Sequence, residues 1–187
     1  MVNPEIRCIS RRHAILLLAS TAVAARASAP ASAGADPHAG RFEFLSSNGN
    51  SNCSSIFLAS IQTMPAGARL QGSCCGPMAL HRYGEQIDGL KKFAGIAEIP
   101  PDPYDVEAPL ARRLLAAYDV ALAPEQQAIY DQAMTASAEG GPCCCKCWRW
   151  HVFGGLGKLL IREHGFDATQ VAKVWDLSNG CGGDEHA

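Results

Sequence analysis

The sequence predicts an all-α fold: a single compact domain of about five or six helices behind a cleaved N-terminal signal. Three observations carry this expectation. Apolar residues recur at three- and four-residue spacing in several separate stretches, as along one face of a helix. Proline and glycine clusters divide those stretches into pieces of helical length. No stretch shows sustained two-residue alternation, the mark of a half-buried strand.

Residues 1–33 have the order of a secretory signal. Arg11-Arg12 precedes an apolar run, Ala14 to Ala25, and small residues follow to Ala33. The paired arginines before a weakly apolar core fit a twin-arginine signal better than an ordinary one. Ala31-Ser32-Ala33 is the favoured cleavage site, because Pro30 follows the competing Ala27-Ser28-Ala29. The run is too short and alanine-rich to span a bilayer stably, so the mature chain is expected to lack a membrane span. Residues 34–52, rich in Gly, Ser, Asn and Asp, read as a flexible lead-in, with a short strand at 41–45.

The cysteine-rich helical domain is expected over 53–187. A first helix runs from Ser54 to Met64, stopped by Pro65 and Gly67. A loop, Gly72-Ser73-Cys74-Cys75-Gly76-Pro77, opens a second helix over 78–93, on which Leu80, Tyr83, Ile87 and Leu90 share a face. Pro100, Pro101 and Pro103 break the chain. Leu110 to Val120 forms the third helix, and Pro124 starts a fourth carrying Ile129, Tyr130 and Met134. Gly140-Gly141-Pro142 opens a long helix over 143–164, weakened by Gly154, Gly155 and Gly157 and ended by Gly165. Asp167 and Gln170 cap a last helix through Trp175.

Of 187 residues, nine are cysteine, and the formal charge is −2. Loss of the signal removes Arg7, Arg11, Arg12, Arg26 and Glu5, leaving 12 basic and 17 acidic residues, a net of −5. That balance argues against nucleic acid as a partner. No nucleophile elbow, phosphate loop or dinucleotide fingerprint is present, and no carboxylate pair suggests acid–base catalysis.

Chemistry concentrates in the thiols. Cys8 leaves with the signal. The mature chain keeps Cys53, Cys74, Cys75, Cys143, Cys144, Cys145, Cys147 and Cys181. Three readings follow. In the first, clustered thiolates hold a soft metal, Cu(I) ahead of Zn(II). If 143–151 is helical, Cys143, Cys147 and His151 fall on one side, as do Cys144, Cys147 and His151. Cys74, Met78 and His81 fall on one face of the second helix, although core packing for Met78 and a surface position for His81 compete with ligation. Cys75 and Cys181 are the remaining contributors expected to converge on 143–147. The metal reading admits an iron–sulfur cluster on thiol count, though the spacing matches no common ferredoxin run. It also admits a metal-delivery or redox partner protein. In the second reading the even count pairs completely, and disulfides staple an interaction domain. In the third, the C-x-x-C of Cys144 and Cys147 serves thiol–disulfide exchange, without the βαβ context such sites favour.

The run Pro142-Cys143-Cys144-Cys145-Lys146-Cys147 resembles the signature of the PCYCGC-motif proteins, exported cysteine-rich bacterial proteins. Cys143, Cys145 and Cys147 match its cysteines, while Cys144 and Lys146 stand where that signature has Tyr and Gly. The family's downstream histidine and later cysteines correspond to His151 and Cys181, so the resemblance covers residues 142–183. It implies export and metal binding, and no defined activity.

Overall fold

The computed structural model describes residues 36–182. The signal expected at 1–33 and His186 lie outside them. Seven α-helices and one two-stranded sheet make up the described fold, which is mainly α.

Helix α1 (Ala39–Asn48) occupies the segment expected as a flexible lead-in with a strand. The reason is a small apolar face: Leu45 is fully buried with Tyr83 and Tyr104, and Phe42 packs beside them. Arg41 pairs with Asp105, which also accepts hydrogen bonds from Arg69 and Gln71. Contacts that far along the chain tie α1 to the domain, so the domain begins before residue 53.

Ser54 caps α2 (Ser55–Ser60) by accepting the Phe57 N–H at 3.1 Å. Strand β1 (Arg69–Gln71) pairs antiparallel with β2 (Asp105–Glu107), Leu70 opposite Val106. Helix α3 (Leu80–Leu90) begins later than proline at 77 suggests, leaving 72–79 in loop. α4 (Ala108–Tyr118) and α5 (Pro124–Ala136) follow, each with proline in its first turn, where no intrahelical donor is lost.

Helix α6 (Trp148–His164) is the centre of the domain. It is apolar nearly all round, as a helix enclosed by others must be, and packs on α4, α5 and α7. Its glycines, expected to weaken it, serve contact instead. A Cβ on Gly155 would strike the Leu114 carbonyl of α4, and one on Gly157 would strike the Trp175 ring of α7 (Ala168–Ser178). Trp175 in turn donates to the Phe153 carbonyl at 2.8 Å. Gly165 ends α6 in the left-handed conformation, φ 66°. Asp167 and Gln170 form the expected capping box of α7.

α6 starts at Trp148, and residues 143–147 form turns before it. A helix advances about 100° per residue, so a helical 143–147 would spread its thiols around the axis. The turned chain faces them to one side.

Candidate metal centre

Four separate stretches of chain meet ahead of α6. Cys53 stands just before α2. The loop after β1 carries Cys74 and Cys75, the turns before α6 carry four more, and Cys181 follows α7. Backbone hydrogen bonds splice two of these stretches together. Cys74 N–H donates to the Gly180 carbonyl, and Cys75 and Gly76 N–H both donate to the Cys181 carbonyl, at 3.3, 3.2 and 2.8 Å. The segment leading to Cys181 is anchored by Asn179. Its carbonyl accepts from Gln86 at 2.5 Å and from Tyr104 at 3.3 Å, and its side chain donates to Glu139 at 3.0 Å.

Arg149, in the first turn of α6, is the second anchor. Its guanidinium donates to the Pro103 carbonyl at 2.6 Å and the Gly72 carbonyl at 2.9 Å. It lies 4.5 Å from the centre of the Trp148 ring. The residue is 0% exposed, and the described hydrogen bonds pair it with carbonyls, not with a carboxylate. A buried guanidinium without an anionic partner is costly. It supplies fixed positive potential beside the cysteines.

All eight described cysteines are free thiols, and their sulfurs form one continuous network. Sγ of Cys143 lies 2.9 Å from that of Cys181 and 3.8 Å from that of Cys147. Cys147 lies 3.9 Å from Cys74, which lies 3.6 Å from Cys75. Cys75 lies 3.0 Å from Cys53 and 3.6 Å from Cys145, and Cys145 lies 3.7 Å from Cys53. Cys144 joins through Cys181 at 3.0 Å. The network grades from dry to wet. Cys143, Cys147 and Cys181 are buried against the core, Cys74 and Cys145 are half-buried, and Cys53, Cys75 and Cys144 are exposed.

Thiols this close contend for protons. Hydrogen bonds from Cys143, Cys147 and Cys181 hold the Cys74 thiol far below its ordinary value, and the charge of Arg149 adds to them. Burial raises Cys145, but hydrogen bonds from Cys147, Cys75 and Cys53 outweigh it and the net shift is downward. The others keep their protons more tightly. Cys143 is pushed up by its bonds to Cys147, Cys181 and Cys74, and Cys75 by burial. Burial takes Cys53 up to about 11. For Cys147 and Cys181 the bond with Cys143 favours ionisation, but donation to Cys74 and burial override it. In the metal-free cluster the thiols that ionise most readily are therefore Cys74 and Cys145, with Arg149 adding to the effect at Cys74.

Four groups within this network could hold a metal ion, each with its sulfurs within 4.8 Å of one another. They are Cys75 with Cys144, Cys145 and Cys181; Cys53 with Cys145 and Cys147; Cys53 with Cys74 and Cys75; and Cys74 with Cys143 and Cys147. Sulfurs on one tetrahedral ion with bonds near 2.3 Å stand about 3.8 Å apart, and about 4.0 Å on a trigonal one. The contacts at 3.6–3.9 Å fall close to that spacing.

These four groups contain no histidine; a separate group of Glu98, Glu163 and His164 contains no cysteine. Every cysteine expected from sequence is brought together, and Cys53, whose part the sequence left open, joins them. His151 lines a cleft with Ser55, Leu58 and Gln62, its ring edge-on to Tyr118 at 4.8 Å. His81 is exposed and pairs with Glu85. Met78 is buried with Leu45 and Tyr83. The helical faces that grouped these three with cysteines do not form, because neither 72–79 nor 143–147 is helical. A cue for Arg149 is its position two residues after the last cysteine of the run; only the fold reveals its burial.

Among the described residues no helix is long and apolar enough to cross a membrane. Comparison with family models, with curated proteins and with solved structures returns no match.

Proposed function

We propose that this chain is an exported protein that binds a soft metal through its cysteine cluster, for storage, sensing or delivery. Copper as Cu(I) is the favoured ion and Zn(II) the next. The observation that carries the proposal is the single network of eight free thiols drawn from four distant stretches of chain. An all-sulfur donor set selects Cu(I), zinc or iron–sulfur clusters over hard cations. Cu(I) stands first because several groups offer three close sulfurs, enough for a trigonal ion. An iron–sulfur core would sit between its thiolates and hold them farther apart than ligands of one ion. Export rests on the signal-like residues 1–33, and kinship with the PCYCGC-motif proteins on residues 142–147.

The deciding experiment is metal analysis of protein isolated from its native compartment, without chelators or metal-affinity resin. Copper or zinc bound to protein with titratable thiols is expected. Protein without metal and without free thiols would overturn the proposal.

A second reading has its own support. Cys53 with Cys75, and Cys181 with Cys143 or Cys144, approach to 2.9–3.0 Å. An oxidant could close such pairs to the 2.03–2.05 Å of a disulfide, giving a stapled interaction domain. The same thiol titration separates the two.

A further inference from the structure

We infer that the cluster is polynuclear: it seats more than one Cu(I) ion per chain, in an inner and an outer compartment. This rests on the soft-metal reading above and goes further in number and arrangement.

The argument begins with which sulfurs the groups share. Cys74, Cys143 and Cys147 form one group; Cys75, Cys144, Cys145 and Cys181 form another. The two have no residue in common. Two ions can therefore be bound at once without any sulfur serving both. The first set offers three sulfurs and the second four, which suits a trigonal and a tetrahedral ion.

Cys53 belongs to neither set and contacts both. It groups with Cys145 and Cys147, and separately with Cys74 and Cys75. The compartments also touch directly, Cys74 against Cys75 at 3.6 Å and Cys143 against Cys181 at 2.9 Å. Ions in the two sets would be near neighbours, and thiolates between them are placed to bridge.

Exposure distinguishes the compartments. Cys143 and Cys147 are 1% and 3% exposed, and their partner Cys74 is half-buried. Cys75 and Cys144 of the other set are exposed, as is the linking Cys53. Cys145 of that set is half-buried, and its Cys181, 1% exposed, is the buried end that touches Cys143 of the inner set. An incoming ion meets the outer set first and reaches the inner one by ligand exchange through Cys53 or Cys74. In each step a thiol that ligates releases its proton to solvent, and an S–Cu bond forms as another breaks. The copper arrives as Cu(I), so no electron moves.

Charge supports more than one ion. A lone monovalent ion on several thiolates leaves the site strongly anionic, with Arg149 buried at its edge. Additional cations, each offsetting part of that charge, make ionisation of the remaining thiols less costly.

The test is anaerobic titration of the reduced full chain with Cu(I) against a competing chelator, read by native mass spectrometry. More than one copper per chain is expected, with a copper–copper distance in X-ray absorption. Saturation at one copper would overturn the inference and leave the soft-metal reading intact; no binding of copper or zinc would overturn both. The double variant Cys75→Ser, Cys145→Ser, checked for folding by circular dichroism, is expected to lose the outer ion and keep one slowly exchanging copper. An unchanged stoichiometry, or loss of all copper from the folded variant, would overturn the two-compartment arrangement.

Discussion

The Arg149 guanidinium occupies the space that a side chain at residue 180 would need. A Cβ built on Gly180 meets the guanidinium carbon and both terminal nitrogens of Arg149. The two residues belong to elements flanking the cysteines: one opens α6, the other precedes Cys181. Gly180→Ala is therefore expected to push the two apart and cost about 1–3 kcal/mol, in the range of overpacking. Metal capacity should fall along with stability. Denaturant titration and metal stoichiometry on the same sample check this.

Arg149→Met keeps an unbranched apolar stem and removes the charged guanidinium. It leaves the Pro103 and Gly72 carbonyls without their donor. A loss of about 1–3 kcal/mol for each stranded carbonyl is expected, the cost of leaving a buried acceptor unpaired, offset in part by removal of the buried charge. The substitution also removes one influence that favours the Cys74 thiolate. In folded variant protein, ultraviolet thiolate absorbance should therefore appear at higher pH than in the parent.

Above about pH 9, rising pH should weaken the metal-free protein and spare the loaded one. Cys53, Cys75, Cys143, Cys147 and Cys181 all have thiols raised above the ordinary 9.0. Between that value and each raised one, the folded chain binds more protons than the unfolded chain. Stability then falls as pH rises. Cys74 and Cys145 are lowered, so their contribution grows with pH up to about 9 and is constant above it. The reduced, metal-free protein is expected to weaken from pH 9 upward, reaching past the value near 11 of Cys53. Metal-loaded protein should instead weaken as pH falls, because protons compete for the thiolates. Urea melts across this range, with and without metal, give the two slopes.

His81→Ala and His151→Ala are expected to leave metal stoichiometry unchanged. His81 is exposed beside Glu85, and His151 packs edge-on against Tyr118. A measured loss of one ion in the His151 variant would assign it a ligand role and redraw the site.

Gly155→Ala tests the helix contact apart from the thiols. The added methyl must move α6 away from the Leu114 carbonyl, and backbone cannot swing aside as a side chain does. A loss of about 1–3 kcal/mol is expected, with copper capacity retained in whatever fraction stays folded. Thermal melts and native mass spectrometry distinguish the two effects.

Much of this arrangement was readable before folding. Asp167 with Gln170, Gly165, and the proline at 124 are local signals, and local hydrogen bonding keeps them true in the fold. The convergence of Cys74, Cys75 and Cys181 on 143–147 was legible from crowding alone. Histidine was grouped with the thiols through helical spacing, and His151 also through the family resemblance; the periodicity is absent where the chain turns. The start of α6 shifted because long-range contacts, not propensity, decide how 143–147 runs. α1 was missed because its polar composition hides two apolar residues, Phe42 and Leu45, whose partners lie far along the chain.

Cys181 is joined to the earlier cysteines by the bonds that link residues 180–181 to 74–76. During synthesis, the earlier cysteines emerge long before this closing strap exists. A ribosome-bound chain would hold a half-built nest of thiols, open to stray oxidants and to whatever ion comes first. The finished geometry appears only after residue 181 is free to fold back. The complete thiol network thus depends on the last stretch of the described chain to be made.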